Sequence, residues 1–169
     1  MIETDRLLCE PVTAAHAEVM YPVLTDERIY AFMPASPPES IESLRKRYEL
    51  LSAGQSPDGS EQWLNWMLFV QTTLEPIGFF QATLRPPDGS IAYVLNPAYQ
   101  GCGYATEAGT SILAHLFEEF ELARVSAEID PRNAPSIALV KRLGMRFLRH
   151  EDSDDDDVYE MTRAEWTAI

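Results

Sequence analysis

The chain has 169 residues, 46% of them hydrophobic and 10% aromatic, which suits one globular domain, 1–169, with enough chain to bury a real core. Its formal charge of −14 argues against general nucleic-acid binding, which needs clustered lysine and arginine. No apolar run approaches the ~20 residues that cross a bilayer, so no membrane partner is expected.

Residues 6–12 read as a strand and 14–24 as a helix. Pro34, Pro37 and Pro38 then break the chain, and Ser40 can cap the segment in which Ile41, Leu44, Tyr48 and Leu51 recur at helical spacing. After a loop at 54–59, residues 63–72 and 77–84 read as strands joined by a turn at 73–76. A second turn signal at 86–89 leads into a short apolar strand, 91–95. Beyond Gly101 and Gly103, residues Ala105, Ala108, Ile112, Leu116 and Phe120 fall on one helix face, and Leu113 and Phe117 widen it. Residues 124–129 read as a strand. A whole helix precedes it, so it is expected to lie parallel to 91–95 through a right-handed crossover. Residues 136–143 are helical and Gly144 ends them. Residues 147–150 and 158–161 close the chain as an antiparallel pair. The expected class is α/β (α+β): a mixed sheet with helices on both faces.

The most informative stretch is Gln100-Gly101-Cys102-Gly103-Tyr104-Ala105-Thr106-Glu107-Ala108, between a strand and a helix. Glycines at such a turn let a ligand approach the backbone. The first helical turn leaves N–H groups unpaired and carries partial positive charge, which together suit a phosphate or pyrophosphate. A tight turn with no ligand is the plain alternative. A second polar turn, Asp130-Pro131-Arg132-Asn133, follows the next strand and opens a helix carrying Asn133, Ser136, Leu139 and Leu143-Gly144-Met145.

With these residues in view, the sequence resembles the GNAT superfamily of acyl-CoA-dependent N-acyltransferases. Gln100, Gly103 and Ala105 match the Gln-x-x-Gly-x-Ala pattern of that family's pyrophosphate loop. The Gly-Tyr-Ala-Thr-Glu-Ala run and the Asn-x-x-Ser helix ending in Leu-Gly-Met are similar to its ribosomal-protein N-terminal acetyltransferase branch. So are the opening Thr4-Asp5-Arg6-Leu7-Leu8-Cys9-Glu10-Pro11 and the closing Tyr159-Glu160-Met161-Thr162-Arg163 with Trp166. The resemblance implies a mostly antiparallel sheet with one parallel pair splayed around CoA. It assigns the pyrophosphate to the backbone of Gln100, Gly101, Cys102, Gly103, Tyr104, Ala105 and Thr106. It places Tyr93, Val94 and Leu95 along the gap that polarises the thioester, with Asn133 and Ser136 beside the pantetheine arm. For Asn133 a helix N-cap is an equal reading.

Acetyl transfer also needs a neutral amine and a leaving thiolate. No general base is secured: Ser90 stands where the family often has a glutamate, and Asp88, Glu61 and Tyr93 are further candidates. Val140 stands where many members have the acid tyrosine, which leaves Ser136 as the substitute, with Tyr99 and Tyr104 as weaker ones. Residues 29–34 and Trp63, Trp66, Phe79 and Phe80 are candidates for contacting the acceptor, each with core packing as its alternative. The acidic run 151–157 reads as a solvated loop, with a reach toward a cationic acceptor as a hypothesis.

Cys9 and Cys102 read as unpaired thiols, and residues 1–5 contain no apolar signal core, so a cytoplasmic protein is expected. Two distant cysteines and the scattered His16, His115 and His150 suggest no metal. The reading is an acetyl-CoA-dependent N-acetyltransferase, monomer or homodimer, acting on a primary amine. A protein N-terminal α-amine is the acceptor the resemblance suggests, and a polyamine or aminoglycoside is the alternative. Two rivals stand beside it: a nicotinamide or flavin dinucleotide binder, for which the third glycine is replaced by Thr106, and a non-catalytic acyl-CoA-binding module.

Overall fold

A computed structural model describes residues 1–168. The strands are β1 (Ile2–Glu3), β2 (Leu7–Pro11), β3 (Gln62–Val70), β4 (Pro76–Arg85), β5 (Asp88–Leu95), β6 (Arg124–Ile129), β7 (Arg146–Glu151) and β8 (Asp156–Thr162). The helices are α1 (His16–Leu24), α2 (Ile41–Ser52), α3 (Tyr104–Glu118), α4 (Ala134–Arg142) and the short α5 (Arg163–Thr167). All eight strands join one sheet in the order β1-β2-β3-β4-β5-β6-β8-β7. Neighbours are antiparallel except β5 and β6.

Alternation along the strands divides the interior in two. In β3, Trp66, Leu68 and Val70 pack with Ala108, Ile112 and Phe117 of α3 and Leu139 and Val140 of α4. Met67 and Phe69 point the other way, onto Met20 and Leu24 of α1 and Leu44 and Tyr48 of α2. In β4 the period is broken where an extra residue opposite Leu68 and Phe69 bulges the strand at Ile77 and Gly78; a second shift lies at the β7 edge between Phe147 and Arg149. Gly78 also lies flat against β5: a Cβ there would stand 2.1 Å from the Val94 carbonyl oxygen.

The parallel pair differs in place from the sequence expectation. Its register is Asp88↔Arg124, Gly89↔Val125 and Ser90↔Ser126, and it stops there. β5 continues to Leu95 paired only with β4, while β6 continues to Ile129 paired only with β8. Residues 91–95, expected to lie parallel to 124–129, are the part that diverges, and Tyr93, Val94 and Leu95 fall along the opening, as the resemblance implied. Strand β5 begins three residues early because Asp88 and Gly89 extend the hairpin, so the turn shrinks to Pro86-Pro87. The starts of α3 and α4 both border the wedge opened between β5 and β6.

Candidate active site

Gly101 and Gly103 both adopt left-handed backbone conformations, with φ of 77° and 84°. Gly103 is the N-cap of α3 and makes no side-chain cap. The first helical bond runs from Glu107 N–H to the Gly103 carbonyl at 3.0 Å, so the N–H groups of Tyr104, Ala105 and Thr106 have no partner within the helix. Gly101, Gly103, Tyr104, Ala105 and Thr106 line an open groove of about 810 Å³. Gln100 lies at the loop's entry, its side-chain amide donating to the Leu95 carbonyl at 3.3 Å. Cys102 is exposed and lines neither this groove nor the adjoining cavity.

Opening residues brace this loop. The Thr4 hydroxyl donates to Glu107 Oε1 at 2.6 Å, the Arg6 backbone N–H donates to the same oxygen at 2.8 Å, and Arg6 Nε donates to Oε2 at 2.6 Å. The same guanidinium donates to the Cys102 carbonyl at 3.0 Å and lies 4.6 Å from the centre of the Tyr104 ring. Burial pushes the Glu107 carboxyl up, and the bonds from Thr4 and Arg6 outweigh it, so the group is held below its usual range. A carboxylate in the first turn of α3 would repel a bound phosphate; here its charge is answered by Arg6.

Across the wedge, Tyr93, Val94, Leu95, Gln100, Gly101, Ala105, Asn133 and Ser136 line one cavity of about 220 Å³. Asn133 caps α4, its side-chain oxygen accepting from Ser136 N–H at 3.2 Å. The Tyr93 hydroxyl donates to the Ser136 carbonyl at 3.3 Å, tying β5 to α4 across the gap. Burial pushes this phenol up to about 12, so it keeps its proton. Arg142, on the last turn of α4, lines both the cavity and the groove, and its Nε donates to Thr106 Oγ1 at 3.4 Å. Sequence reasoning missed Arg6 and Arg142. Arg6 stood in a quoted motif without a contact, and Arg142 lies nine residues beyond Asn133 on a helix read only for its capping and apolar positions.

The GNAT acetyltransferase domain model matches residues 6–146, from β2 through α4 and hence both motif loops. The chain belongs to the GNAT acetyltransferase family. It is 46% identical over 56 residues to the uncharacterized N-acetyltransferase YnaD of Bacillus subtilis, a match spanning 33% of each chain. It is 25% identical over 146 residues to the uncharacterized N-acetyltransferase p20 of Bacillus licheniformis, covering 85% of this chain and 80% of that one. Among solved GNAT-like folds, a Vibrio cholerae protein assigned as a ribosomal-protein-serine acetyltransferase superposes with a TM-score of 0.76 at 20% identity, covering 95% of this chain and 96% of its own. Aminoglycoside acetyltransferase AAC(6')-Ib in complex with coenzyme A gives 0.78 at 16%, covering 96% and 98%.

Family membership removes the dinucleotide-fold rival, since a GNAT sheet places this loop after a fifth, mostly hairpin-linked strand rather than in an opening βαβ unit. Two carboxylates weighed as bases are engaged elsewhere. Asp88 is clamped by Arg124 at 2.6 Å, which lowers its pKa, and Glu61 bonds Trp63 Nε1 at 2.7 Å and pairs with Arg85. Neither lines the groove or the cavity. Trp66 and Phe80 face α3 and the main core rather than an acceptor, because they sit on the other face of the sheet from Phe79. The acidic residues 151–157 line none of the cavities at the loop. No described helix is long and apolar enough to cross a membrane.

Proposed function

We propose that this GNAT chain transfers an acetyl group from acetyl-CoA to a primary amine, with an α-amine as the preferred class. The observation that carries the reading is the juxtaposition of two left-handed glycines, unpaired helix N–H groups and the opening between β5 and β6. Gly101, Gly103 and Ala105 leave the backbone open to a pyrophosphate, with Arg142 as the adjacent cation; of the two carboxylates that also line the groove, Asp5 and Glu107, the second is paired with Arg6. Gln100 to Thr106 would hold the pyrophosphate. Beyond Ser90, the backbone groups of β5 that point away from β4 have no strand opposite them and can meet the amide-bearing arm. Tyr93, Val94 and Leu95 would line it, and Asn133 and Ser136 would flank its end.

Acetyl-CoA supplies a thioester: the amine nitrogen bonds to its carbonyl carbon, the C–S bond breaks, and the electron pair leaves on sulfur. The amine loses one proton and the thiolate gains one. An N–H aimed at the developing oxyanion is the contribution expected of β5. Ser136 is the candidate proton donor to the departing sulfur. Tyr93 holds its proton and anchors α4, which makes it a positioning group and the alternative donor rather than a base. With no carboxylate committed as base, an acceptor that is partly neutral near pH 8 suits the site. An α-amine has a pKa of about 7.7–8.0, against about 10.4 for a lysine side chain.

The test is free-thiol release from acetyl-CoA with amines of both kinds, with the acetylated product identified by mass spectrometry. We expect activity only with an amine present, and kcat/KM rising with pH to a plateau above about 8, the titration of the α-amine. Tight acetyl-CoA binding with no turnover of any amine would instead assign the chain to the binding-module class.

A further inference from the structure

A cavity of about 290 Å³ lies between α2 and the β3–β5 face of the sheet, on the opposite side from α3. It meets the wedge: Met33 and Val94 line both this cavity and the gap that Ser136 and Tyr93 enclose. Its size falls at the lower end of small-molecule pockets, about 300–1,000 Å³, enough for one amino-acid-sized group. Leu44, Leu51, Met67 and Phe79 make much of its wall apolar. Glu39 is the one carboxylate among its lining residues and Arg47 the one cation.

One polar group in this wall is unsatisfied. Tyr48 is 3% exposed, and its hydroxyl has no hydrogen-bond partner among the described residues. Burial pushes the phenol up, so it stays protonated; its oxygen has under 1 Å² of accessible surface, so donating into the cavity requires the wall to shift on binding. A buried donor left unpaired is unfavourable, and an acceptor's carbonyl or carboxylate oxygen would satisfy it.

We propose, resting on the acetyl-transfer reading above, that this cavity holds the body of the acceptor and selects an α-amine beside a large apolar side chain. A free amino acid and a peptide N-terminus share that chemistry. The apolar wall takes the side chain, Tyr48 donates to the adjacent carbonyl oxygen, and the amine reaches the thioester past Val94. A polyamine or aminoglycoside fits poorly, because each ammonium taken from water needs a carboxylate. This wall supplies one, countered by Arg47. The acidic residues 151–157 are not among the residues lining this cavity.

Steady-state thiol release tests it, with L-phenylalanine, L-phenylalaninamide and L-alaninamide set against spermidine and kanamycin, alongside calorimetric titration of acetyl-CoA. L-Phenylalaninamide is expected to exceed L-alaninamide by at least about tenfold in kcat/KM, the size of hydrophobic-pocket discrimination, and to exceed both polycations. Tyr48→Phe is expected to raise the acceptor KM about fivefold, the loss of one hydrogen bond, with the acetyl-CoA KM and the thermal midpoint not impaired. Arg47→Gln separates the two sources: it weakens L-phenylalanine alone if a free carboxylate is read, and neither substrate if a peptide N-terminus is. No turnover of any apolar α-amine by protein that binds acetyl-CoA and acetylates another amine, or an unchanged acceptor KM in Tyr48→Phe, overturns the proposal alone; preference for spermidine or kanamycin overturns it together with the α-amine preference and leaves acetyl transfer standing. Absence of acetyl-CoA binding overturns the acetyl-transfer reading with it.

Discussion

Gly101 and Gly103 are constrained in different ways, although both were marked by the same motif. A Cβ on Gly101 would meet nothing within 4 Å, so its constraint is the backbone angle alone. A Cβ on Gly103 would also stand 3.3 Å from the Arg6 guanidinium. Gly101→Val should therefore act through conformation, where a left-handed residue with a side chain costs about 1–2 kcal/mol. We expect acetyl-CoA to bind roughly 5- to 30-fold more weakly, with the acceptor KM little changed; equal loss for both substrates would point to general unfolding of the loop. Arg6 gives a second residue-scale outcome. Arg6→Gln leaves Glu107 charged beside the proposed phosphate site and should weaken acetyl-CoA about two- to fivefold, the size of a charge at a helix N-terminus. Glu107→Gln in that background should restore most of it, and a titration series that shows no restoration would mean that Arg6 serves only to hold the loop's shape. The glycines were legible because their chemistry is local. The Arg6–Glu107 pair was not, because nothing in a sequence says that residues 6 and 107 meet.

The elements followed their local signals wherever those were strong. Ser40 caps α2 through a reciprocal bond with Ser43, Asn133 caps α4, and β6 has the bounds its pattern gave. Strand β1, two residues long, and helix α5, five residues long, carry too little periodicity to be read. The bulge at Ile77 was hidden because an alternation of period two looks intact on either side of it. Periodicity alone set 91–95 parallel to 124–129, and the splay at Tyr93 to Leu95 came only from the family resemblance. Sequence indicates which strands are neighbours, whereas the place where their ladder ends depends on how α3 and α4 pack on the sheet. The β7–β8 hairpin offers an element-scale test. His150 Nδ1 lies 3.0 Å from Asp157 and its Nε2 lies 3.4 and 3.9 Å from Asp155 and Asp152, and the bond to Asp157 raises the imidazole pKa above its ordinary 6.5. A raised folded-state pKa stabilises the hairpin fully below the unfolded value, and that stabilisation is lost as pH rises through the folded value. An NMR titration should place the His150 midpoint above 6.5 and lower it in Asp157→Asn; a wild-type midpoint at or below 6.5 would refute the pairing.

At the scale of the molecule, the sheet separates two tasks. One face, with α3 and α4, presents the glycine groove; the other, with α1 and α2, encloses the smaller cavity; the divergence of β5 from β6 joins them. Architecture and family were legible because two loop motifs occur in order across a recognisable strand–helix pattern. The proposed acceptor side was legible only in part: Met33 and Phe79 stood among the candidates, whereas Leu44, Tyr48 and Leu51 read only as a helix stripe until folding brings them around one space. Net charge does not choose between acceptors, because 27 acidic residues say nothing about which of them line a cavity. The central claim is that the loop opening α3 holds the pyrophosphate of acetyl-CoA. Calorimetric titration of acetyl-CoA, with NADH as control, tests it most directly. The account predicts one-to-one binding in the micromolar range, weakened by Gly101→Val, and none by NADH. No binding of acetyl-CoA, or binding of NADH in its place, would contradict it.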